Sequence, residues 1–315
     1  MKCVIVVDSS CDLPQDYIDS NPIVVLPLNF SIDGKRQVDN LSAIEKIQVY
    51  HRELLTRDHY VESIPSSPEQ VYDFFMQKII THYDFALGQT VTQSRSPNYE
   101  NWIQASGRIQ TDYHNKRQEA GLATAFGFRI INSGTFFAGQ GLLAVYSIER
   151  LKKGISRNQI RSVVEDFKQD INAFAVPRDV AYLRERARKK GDGSVSLMAS
   201  MIGKTLDISP IIRGDSDSTE TIAKIRGREN AVNKLFDYVI RHMKLGLSFP
   251  YICISVADEP STLSEFEGFQ RLLSEAKVHQ VEVLVSVMGM AGGINLGPGS
   301  LSVAFASRNK DYQFD

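Results

Sequence analysis

The sequence predicts an α/β protein with an N-terminal parallel-sheet α/β domain, a C-terminal α/β domain whose sheet is more antiparallel, and a ligand cleft between them. The length of 315 residues suits two domains of moderate size. Strand and helix patterns alternate in the first half, which is typical of parallel sheets with crossover helices. Hairpin-like returns in the second half favour antiparallel pairing. We therefore predict domains at residues 1–165 and 166–315.

The first strand is predicted from Cys3–Val7, an unbroken apolar and largely β-branched run that suits a strand buried on both faces. Asp8, Ser9 and Ser10 follow at the carboxyl end of the strand, where open parallel sheets bind ligands. They either support the cleft or simply cap the next turn. A second strand is predicted at 23–30, and Asp33-Gly34 indicates a hairpin turn.

A helix start is predicted at Ser66-Ser67-Pro68-Glu69, because serine caps helices, proline fits the first turn and an acidic residue follows. Apolar residues then recur at helical spacing through Ile79. The other helices predicted in this half are a short one that begins at Leu13-Pro14, one near 44–55, one from 99 onward and one at 143–151. The other strands lie at 85–87 and 128–131.

The second half predicts helices near 157–171, 179–188, 195–206, 229–244 and 263–276. Strands are predicted at 211–212, after a turn at 216–218, and at 251–256, 281–287 and 301–306. The segment from Gly289 to Gly299 is rich in glycine, and no helix is assigned to it. This order of elements is consistent with the more antiparallel sheet predicted for the second half.

Composition excludes several classes of function. The formal net charge of -1 provides no long-range attraction to nucleic acid or to anionic membranes. Cys3, Cys11 and Cys253 are odd in number and widely spaced, so they predict neither disulfides nor a metal site, and a cytoplasmic protein is the simplest expectation. No stretch approaches the roughly 20 apolar residues of a membrane helix, and the first apolar run is too short for a signal peptide.

Catalytic motifs are not found in the sequence. It contains no nucleophile elbow, no Walker loop and no metal-binding signature. The histidines fall mostly in polar or helical contexts, which indicates surface positions, and Cys11 has no evident partner base. We therefore expect a binding protein without metal or cofactor.

Several segments resemble motifs of the DegV family, in order and over nearly the whole chain. They are Lys2–Pro14, Val24–Leu28 with Asp39, Ser63–Pro68, Thr92–Tyr99, Asn132-Ser133 with Gly139–Gly141, Tyr182-Leu183 with Gly203–Pro210, Arg226–Arg228 and Asn295–Gly299. The resemblance implies a two-domain protein that holds one long-chain fatty acid and performs no chemistry on it. It also implies that a separate ATP-dependent fatty acid kinase receives the bound carboxylate and forms an acyl phosphate for phospholipid synthesis.

The chain departs from the family pattern at the head-group motifs. The loop from Thr92 to Asn98 lacks the family's Ser-Gly-Thr. The histidine of the family's last motif is replaced by Asn295. The family's Gly-Gly-Arg aligns with Asp192-Gly193-Ser194, so its arginine is either absent or supplied from nearby. The nearby candidates are Arg184, Arg186 and Arg188. These changes concern the chemistry of the head group more than the fold.

The resemblance implies that hydroxyls of Ser63 and Thr92 hydrogen-bond the fatty-acid carboxylate. A carboxylate offers only acceptors, so its site needs donors such as hydroxyl or N–H groups. Helices are predicted after both loops, and their N-termini add partial positive charge. Ser63 can instead be an ordinary loop serine, and Gln93 and Ser96 are the alternatives to Thr92.

Three further residues are candidate ligand contacts. Arg95 can grip an acidic head group in a bidentate manner, although it can equally be a solvated loop residue. Asn295 can donate a hydrogen bond but cannot titrate as histidine does. Gly297 permits close approach of the backbone to a ligand, or it simply forms a tight turn.

The resemblance also implies that the acyl tail lies against the predicted helix at 195–206. Met198, Met201 and Ile202 on this helix are the candidate wall of a tunnel, with ordinary core packing as the alternative. Each buried CH₂ contributes about 0.8 kcal/mol, so a long acyl chain would supply most of the affinity.

Two other functions remain open from the sequence. One is a small-molecule kinase or transferase on a related fold, for which Gly289–Gly299 is the candidate nucleotide site. The other is an adaptor that kept the fold and lost the lipid. Saturable ATP binding by the isolated protein would favour the first of these, and absence of a copurified acyl ligand would favour the second.

Overall fold

A computed structural model describes residues 2–52, 54–190, 207–215 and 218–314. The strands are β1 Cys3–Asp8, β2 Ile23–Leu26, β3 Asn29–Ile32, β4 Lys35–Val38, β5 Val61–Ile64, β6 Phe85–Thr90, β7 Gly127–Asn132, β8 Ile171–Val176, β9 Ile208–Asp215, β10 Ser218–Arg226, β11 Phe249–Val256, β12 Glu282–Val287 and β13 Leu301–Ala306. The α-helices are α1 Gln15–Asp19, α2 Ala43–His51, α3 Pro68–Phe74, α4 Asn98–Glu119, α5 Ala138–Lys152, α6 Ile160–Phe167, α7 Val180–Lys190, α8 Arg228–Leu245, α9 Glu267–Val278 and α10 Met290–Leu296. A π-helical turn, Phe75–Ile79, continues α3, and 3₁₀ turns lie at Lys168–Asp170 and Pro260–Glu265.

The first half forms a four-stranded parallel sheet in the order β2-β1-β6-β7. Alternate residues of β1 face opposite sides of this sheet. Ile5 and Val7 pack toward α5, whereas Val4 and Val6 pack toward α3 and α4. Residues 4–7 are all fully buried, so the predicted strand with two covered faces is confirmed.

The second half forms a six-stranded sheet in the order β10-β9-β8-β13-β11-β12. Its neighbouring strands pair antiparallel except for β11 and β12, which are parallel. Helix α5 packs on one face of this sheet and also on β1, so it belongs to the core of both sheets. Helices α8 and α9 cover the opposite face. The predicted fold class is therefore confirmed, while the domain boundary at residue 165 stays a prediction.

The predicted strand at 23–30 is two strands, and this boundary was wrong. Pro27 separates β2 from β3 because proline has no backbone N–H for the sheet ladder. Strands β3, β4 and β5 then form a small antiparallel sheet in the order β4-β3-β5. The predicted hairpin at Asp33-Gly34 is confirmed, and both residues have the positive φ angles, 49° and 81°, that tight hairpins favour.

The glycine-rich segment contains α10, a helix that the sequence analysis did not assign. A Cβ on Gly293 would lie 2.3 Å from Cε1 of Tyr50 in α2, and one on Gly292 would lie 2.5 Å from Cγ of Met288. The glycines therefore let this helix pack directly against its neighbours. The predicted helix at 195–206, with Met198, Met201 and Ile202, lies outside the described residues. Within the described ranges, no helix is long and apolar enough to cross a bilayer.

Candidate functional site

A cavity of about 550 Å³ lies between the two halves of the chain, and its volume is in the range of small-molecule sites. Loops after β5, β6 and β7 line it from the first half, and β8, β9, α7 and α10 line it from the second. Its apolar lining comprises Leu28, Ile64, Pro65, Val91, Pro97, Phe136, Phe137, Ala175, Leu183, Ile212, Ala291 and Leu296. This lining suits a ligand with a substantial apolar part.

Each polar side chain among the described lining residues carries a hydrogen-bond donor. These side chains are Ser10, Ser63, Ser94, Arg95, Ser96, Arg186, Thr219 and Asn295. Among the described lining residues there is no aspartate or glutamate. A group rich in acceptors, such as a carboxylate, therefore matches this wall better than a cationic group does.

Ser63 and Asn295, both predicted ligand contacts, lie together at this wall, and their role in ligand binding stays a prediction. Asn295 Nδ2 donates to Ser63 Oγ at 3.2 Å and to the carbonyl oxygen of Ala291 at 2.6 Å. Because Ser63 accepts from Asn295, its own hydroxyl hydrogen can be donated to an acceptor in the cavity. Strand β5 positions Ser63, although the sequence analysis did not assign a strand there.

Arg186 in α7 lies beside this pair and is only 5% exposed. Its Nε donates to the carbonyl oxygen of Ile294 at 3.1 Å, and Nη1 donates to that of Val61. Val61 shares a face of β5 with Ser63, and Ile294 adjoins Asn295. Nη2 is buried without a hydrogen-bond partner in the described structure.

Burial lowers the pKa of the Arg186 guanidinium, but an arginine remains charged in a protein. A buried charge is costly unless an opposite charge or hydrogen bonds compensate it. Main-chain carbonyls satisfy part of this group, and the buried Nη2 still has a hydrogen bond to offer. The cavity wall at Arg186, Ser63 and Asn295 is therefore suited to an anion.

The loop after β6 supplies a second group of donors. Arg95 Nε donates to Thr219 Oγ1 at 2.8 Å, which links this loop to β10 of the second half. Ser94 and Ser96 line the cavity beside it. Thr92 is 3% exposed, and its Oγ1 lies 3.1 Å from Ser94 Oγ.

Three predicted site residues are not among the described residues that line the cavity: Thr92, Gln93 and Gly297. Gln93 is exposed, and its backbone N–H donates to Asn132 Oδ1 at 3.1 Å. Gly297 has a φ of 96°, and a Cβ there would lie 2.8 Å from Cδ1 of Tyr182. The backbone at Gly297 thus approaches a side chain of α7, and a direct role of these residues in ligand contact stays a prediction.

A buried carboxylate, Asp8, holds the loops around the cavity. Its Oδ2 accepts from the Val91 N–H at 2.9 Å and from Asn98 Nδ2 at 2.7 Å. Its Oδ1 accepts from Gln140 Nε2 at 3.2 Å and from both the N–H and the hydroxyl of Ser10. Because Ser10 lines the cavity, Asp8 supports the wall without being part of it.

A further buried carboxylate connects the two halves. Asp12 accepts from the hydroxyl of Ser255 at 2.5 Å and from the N–H of Gly289 at 2.8 Å. Burial raises the pKa of Asp12 to about 7. Asp39, whose pKa burial also raises, accepts from the hydroxyl of Ser9 at 2.7 Å. These contacts hold the start of α10, the helix that carries Asn295.

Two further reactive groups, the thiols of Cys11 and Cys253, are buried in the described structure. Burial raises the pKa of the Cys11 and Cys253 thiols, which disfavours the nucleophilic thiolate form. No group of three or more His, Cys, Asp and Glu side chains in the described ranges could hold a metal ion. The candidate nucleotide segment at 289–299 packs against Tyr50 and Met288 through Gly293 and Gly292, so these glycines do not face an open site.

Arg186 lines the cavity, but the sequence did not single it out as a candidate ligand contact. It was one of several arginines that could replace the motif arginine, and charge alone does not distinguish them. Phe136 and Ile212 also line the cavity without having been predicted. Their apolar character is as typical of ordinary core, so no sequence signal separated them from it.

Comparisons with known proteins agree with this architecture. A DegV domain-containing protein of Xanthomonas campestris is 36% identical over 307 residues, which cover 98% of each chain. A fatty acid binding DegV protein from Bacillus subtilis is 18% identical with a TM-score of 0.74, covering 98% of this chain and 99% of that one. A stearic acid-binding protein from Eubacterium ventriosum is 19% identical with a TM-score of 0.75, covering 96% of this chain and 98% of that one.

The structural similarities establish the fold, and the sequence comparisons establish the family. The family model described as "Uncharacterised protein, DegV family" matches residues 2–308. This range contains the motifs from the first strand to the terminal Gly-Pro-Gly, so the resemblance found in the sequence is confirmed. The chain therefore belongs to the DegV family.

Proposed function

We propose that this protein binds one long-chain fatty acid in the cavity, with its carboxylate at Arg186, Ser63 and Asn295. The observation that carries the proposal is the buried, cavity-lining guanidinium whose Nη2 has no partner among the described residues. Fatty acids are ionised at neutral pH, and hydrogen bonds between arginine and carboxylate are among the stronger ones in proteins. Ser63 and Asn295 would complete the donor set.

The apolar part of the cavity supports a long acyl chain as the rest of the ligand. Leu183, Ile212 and Phe137 are among its wall residues, and each CH₂ buried there would contribute about 0.8 kcal/mol. The related structures from Bacillus subtilis and Eubacterium ventriosum are of proteins that bind fatty acids, which supports this ligand class. Arg95 and Ser96 line the same cavity and remain proposed contacts of the ligand.

The protein would act as a carrier in the cytoplasm and present the carboxylate to a separate fatty acid kinase. Family resemblance supports this step, since the implied acyl phosphate needs ATP chemistry from a partner. The donors at the proposed carboxylate position are an arginine, a serine and an amide, and none of these is an evident base for phosphoryl transfer. The acyl phosphate formed by the kinase would serve phospholipid synthesis.

Organic extraction of the purified protein followed by mass spectrometry tests the ligand assignment. We expect one equivalent of long-chain acid in the wild type and at least a tenfold lower occupancy in Arg186→Met, because methionine keeps apolar bulk but lacks the donors. A charge-assisted hydrogen bond contributes about 1.5–3 kcal/mol, which corresponds to this range of affinity loss.

Arg188→Met is the matched control on the same helix. Its side chain is 78% exposed and pairs with Glu185 at 2.8 Å, so its removal should leave the bound acid unchanged. Thermal melting of each variant separates loss of ligand from loss of fold. Full retention of the acid by a folded Arg186→Met variant would contradict the proposed carboxylate position, and a wild type without acyl ligand would contradict the function itself.

A further inference from the structure

Phe136 forms part of the cavity wall. Its ring occupies space that is available only because residue 214 is a glycine without a side chain. Phe136 lies between β7 and α5, is 7% exposed, and has its ring centroid 5.1 Å from that of Phe137. Next to the ring is Gly214 in β9, where a Cβ would lie only 1.8 Å from Phe136 Cε1. The ring therefore occupies the space that any side chain at position 214 would need.

Through Gly214, the sheet register places the ring of Phe136 two residues from the cavity-lining Ile212, toward the beginning of β8. Gly214 pairs with Ala173 of β8, whereas Ile212 pairs with Ala175, which is two residues closer to the end of β8 where α7 follows. Two residues of a β-strand span about 6.6 Å. Ala175 and Ile212 both line the cavity, and the ring of Phe136 lines it beside Gly214.

The backbone around Phe136 is held in place. The carbonyl oxygen of Phe136 accepts from Gly139 N–H at 2.8 Å, and that of Phe137 accepts from Gly141 N–H at 3.0 Å. Phe137 also has a φ of 48°, a conformation uncommon for a bulky residue that persists only where surrounding contacts impose it. The backbone that carries the ring is thus held, so the position of the ring depends on its side-chain rotation and on the space at Gly214.

We propose that Phe136 determines specificity by setting the length of acyl chain that the cavity accepts. The inference rests on the proposed function and assigns one residue to the discrimination among fatty acids. A chain anchored by its carboxylate at Arg186 would reach Phe136 with its apolar end. Each methylene that gains or loses a place in the cavity changes affinity about fourfold, which corresponds to about 0.8 kcal/mol.

The test compares the acids extracted from the wild type, Phe136→Ala, Gly214→Ala and the double variant after incubation with an equimolar mixture of saturated acids. Phe136→Ala opens space above Gly214, so the ratio of 18-carbon to 14-carbon acid should rise at least about tenfold. Gly214→Ala pushes the ring into the cavity and should lower the same ratio. The double variant should lack that decrease, because no ring remains to be displaced.

Phe128→Ala is the matched control, since Phe128 is 4% exposed and packs in the cluster of α3 and α4, away from the cavity. It should lower stability without changing the profile of acids. If Phe136→Ala does not fold, Phe136→Leu provides the smaller change with the same expected direction. A wild type that carries acid together with unchanged profiles in all folded variants overturns the specificity assignment, whereas a wild type without acid overturns the proposed function.

Discussion

At the scale of single residues, the described structure uses buried polar groups in different ways. Asp8 accepts several hydrogen bonds and requires no ligand. Arg186 retains a donor without a described partner, which is what a binding site for an anion needs. Asp12 is an intermediate case. Its carboxyl oxygens accept hydrogen bonds from Ser255 and Gly289, but burial still raises its pKa.

Asp12 should make stability depend on pH. Its folded-state pKa of about 7 exceeds the usual value of 3.8. At a pH between these two values, the carboxyl group of Asp12 is therefore protonated in the native state and ionised in the unfolded state. Stability should therefore fall as pH rises from about 4 to about 7, by at most about 1.4 kcal/mol per pH unit, and then level off. Asp12→Asn should abolish this contribution, since an amide can accept from Gly289 and donate to Ser255.

Urea unfolding at pH 5, 6, 7 and 8 measures the effect as the difference between wild type and variant. Asp58→Asn is the control, because Asp58 is exposed in the loop before β5 and should leave the pH profile unchanged. Parallel pH profiles for wild type and Asp12→Asn would show that Asp12 does not retain its proton in the folded protein.

At the scale of elements, α10 is the helix that brings Asn295 of the second half to the cavity. It carries Asn295 at its end, and its start is held by Asp12 and by the hydroxyl of Tyr50, which donates to the carbonyl oxygen of Met288 at 2.6 Å. Close packing of this short helix depends on glycine at positions where a side chain would meet α2. Its place is therefore decided by tertiary contacts rather than by helix propensity.

Gly293→Ala should lower the free energy of unfolding by about 1–3 kcal/mol, the usual cost of overpacking a core. The new Cβ would lie 2.3 Å from Cε1 of Tyr50, so α10 or the tyrosine ring must shift. Gly107→Ala in α4 is the control and should raise the free energy of unfolding. No atom lies within 4 Å of its added Cβ, and alanine is more favourable than glycine in a helix by about 0.8–1.0 kcal/mol. Equal effects of the two substitutions on chemical denaturation would argue against the packing account.

At the scale of the whole molecule, the described cavity is built jointly by both halves. The first half provides Ser63 from β5 and Phe136 from the loop before α5, and the second half provides Ile212, Arg186 and Asn295. A ligand bound there would contact residues from both halves, while α5 connects the two sheets through the core. Binding should consequently stabilise the chain as a single unit.

Thermal unfolding of the delipidated protein tests this expectation. Oleate at 100 times its Kd should stabilise the fold by about 2.7 kcal/mol and raise the Tm by several degrees. ATP with Mg²⁺ should leave the Tm unchanged, since the proposed carrier leaves nucleotide chemistry to a partner. A clear shift with ATP alone would favour the kinase or transferase alternative, and no shift with any long-chain acid would favour the adaptor.

Local sequence determined much of the architecture and part of the site. Apolar runs and their periods predicted β1, the helix after Ser67 and the final strand β13, because each depends on contacts that repeat along one segment. The short strand β5 and helix α10 were not predicted, since the partners that stabilise them are distant in sequence. Ser63 and Asn295 were predicted as ligand contacts from the ordered motifs, and both lie on one wall of the cavity.

Only the tertiary structure distinguished among the arginines of α7. Arg186 and Arg188 have the same chemistry, but residues two positions apart on a helix point in different directions, and only packing decides which direction is buried. Arg186 lies in the cavity wall, whereas Arg188 is exposed beside Glu185. The space that Gly214 leaves for Phe136 was equally invisible in the sequence, because it exists only where β9 meets the loop before α5.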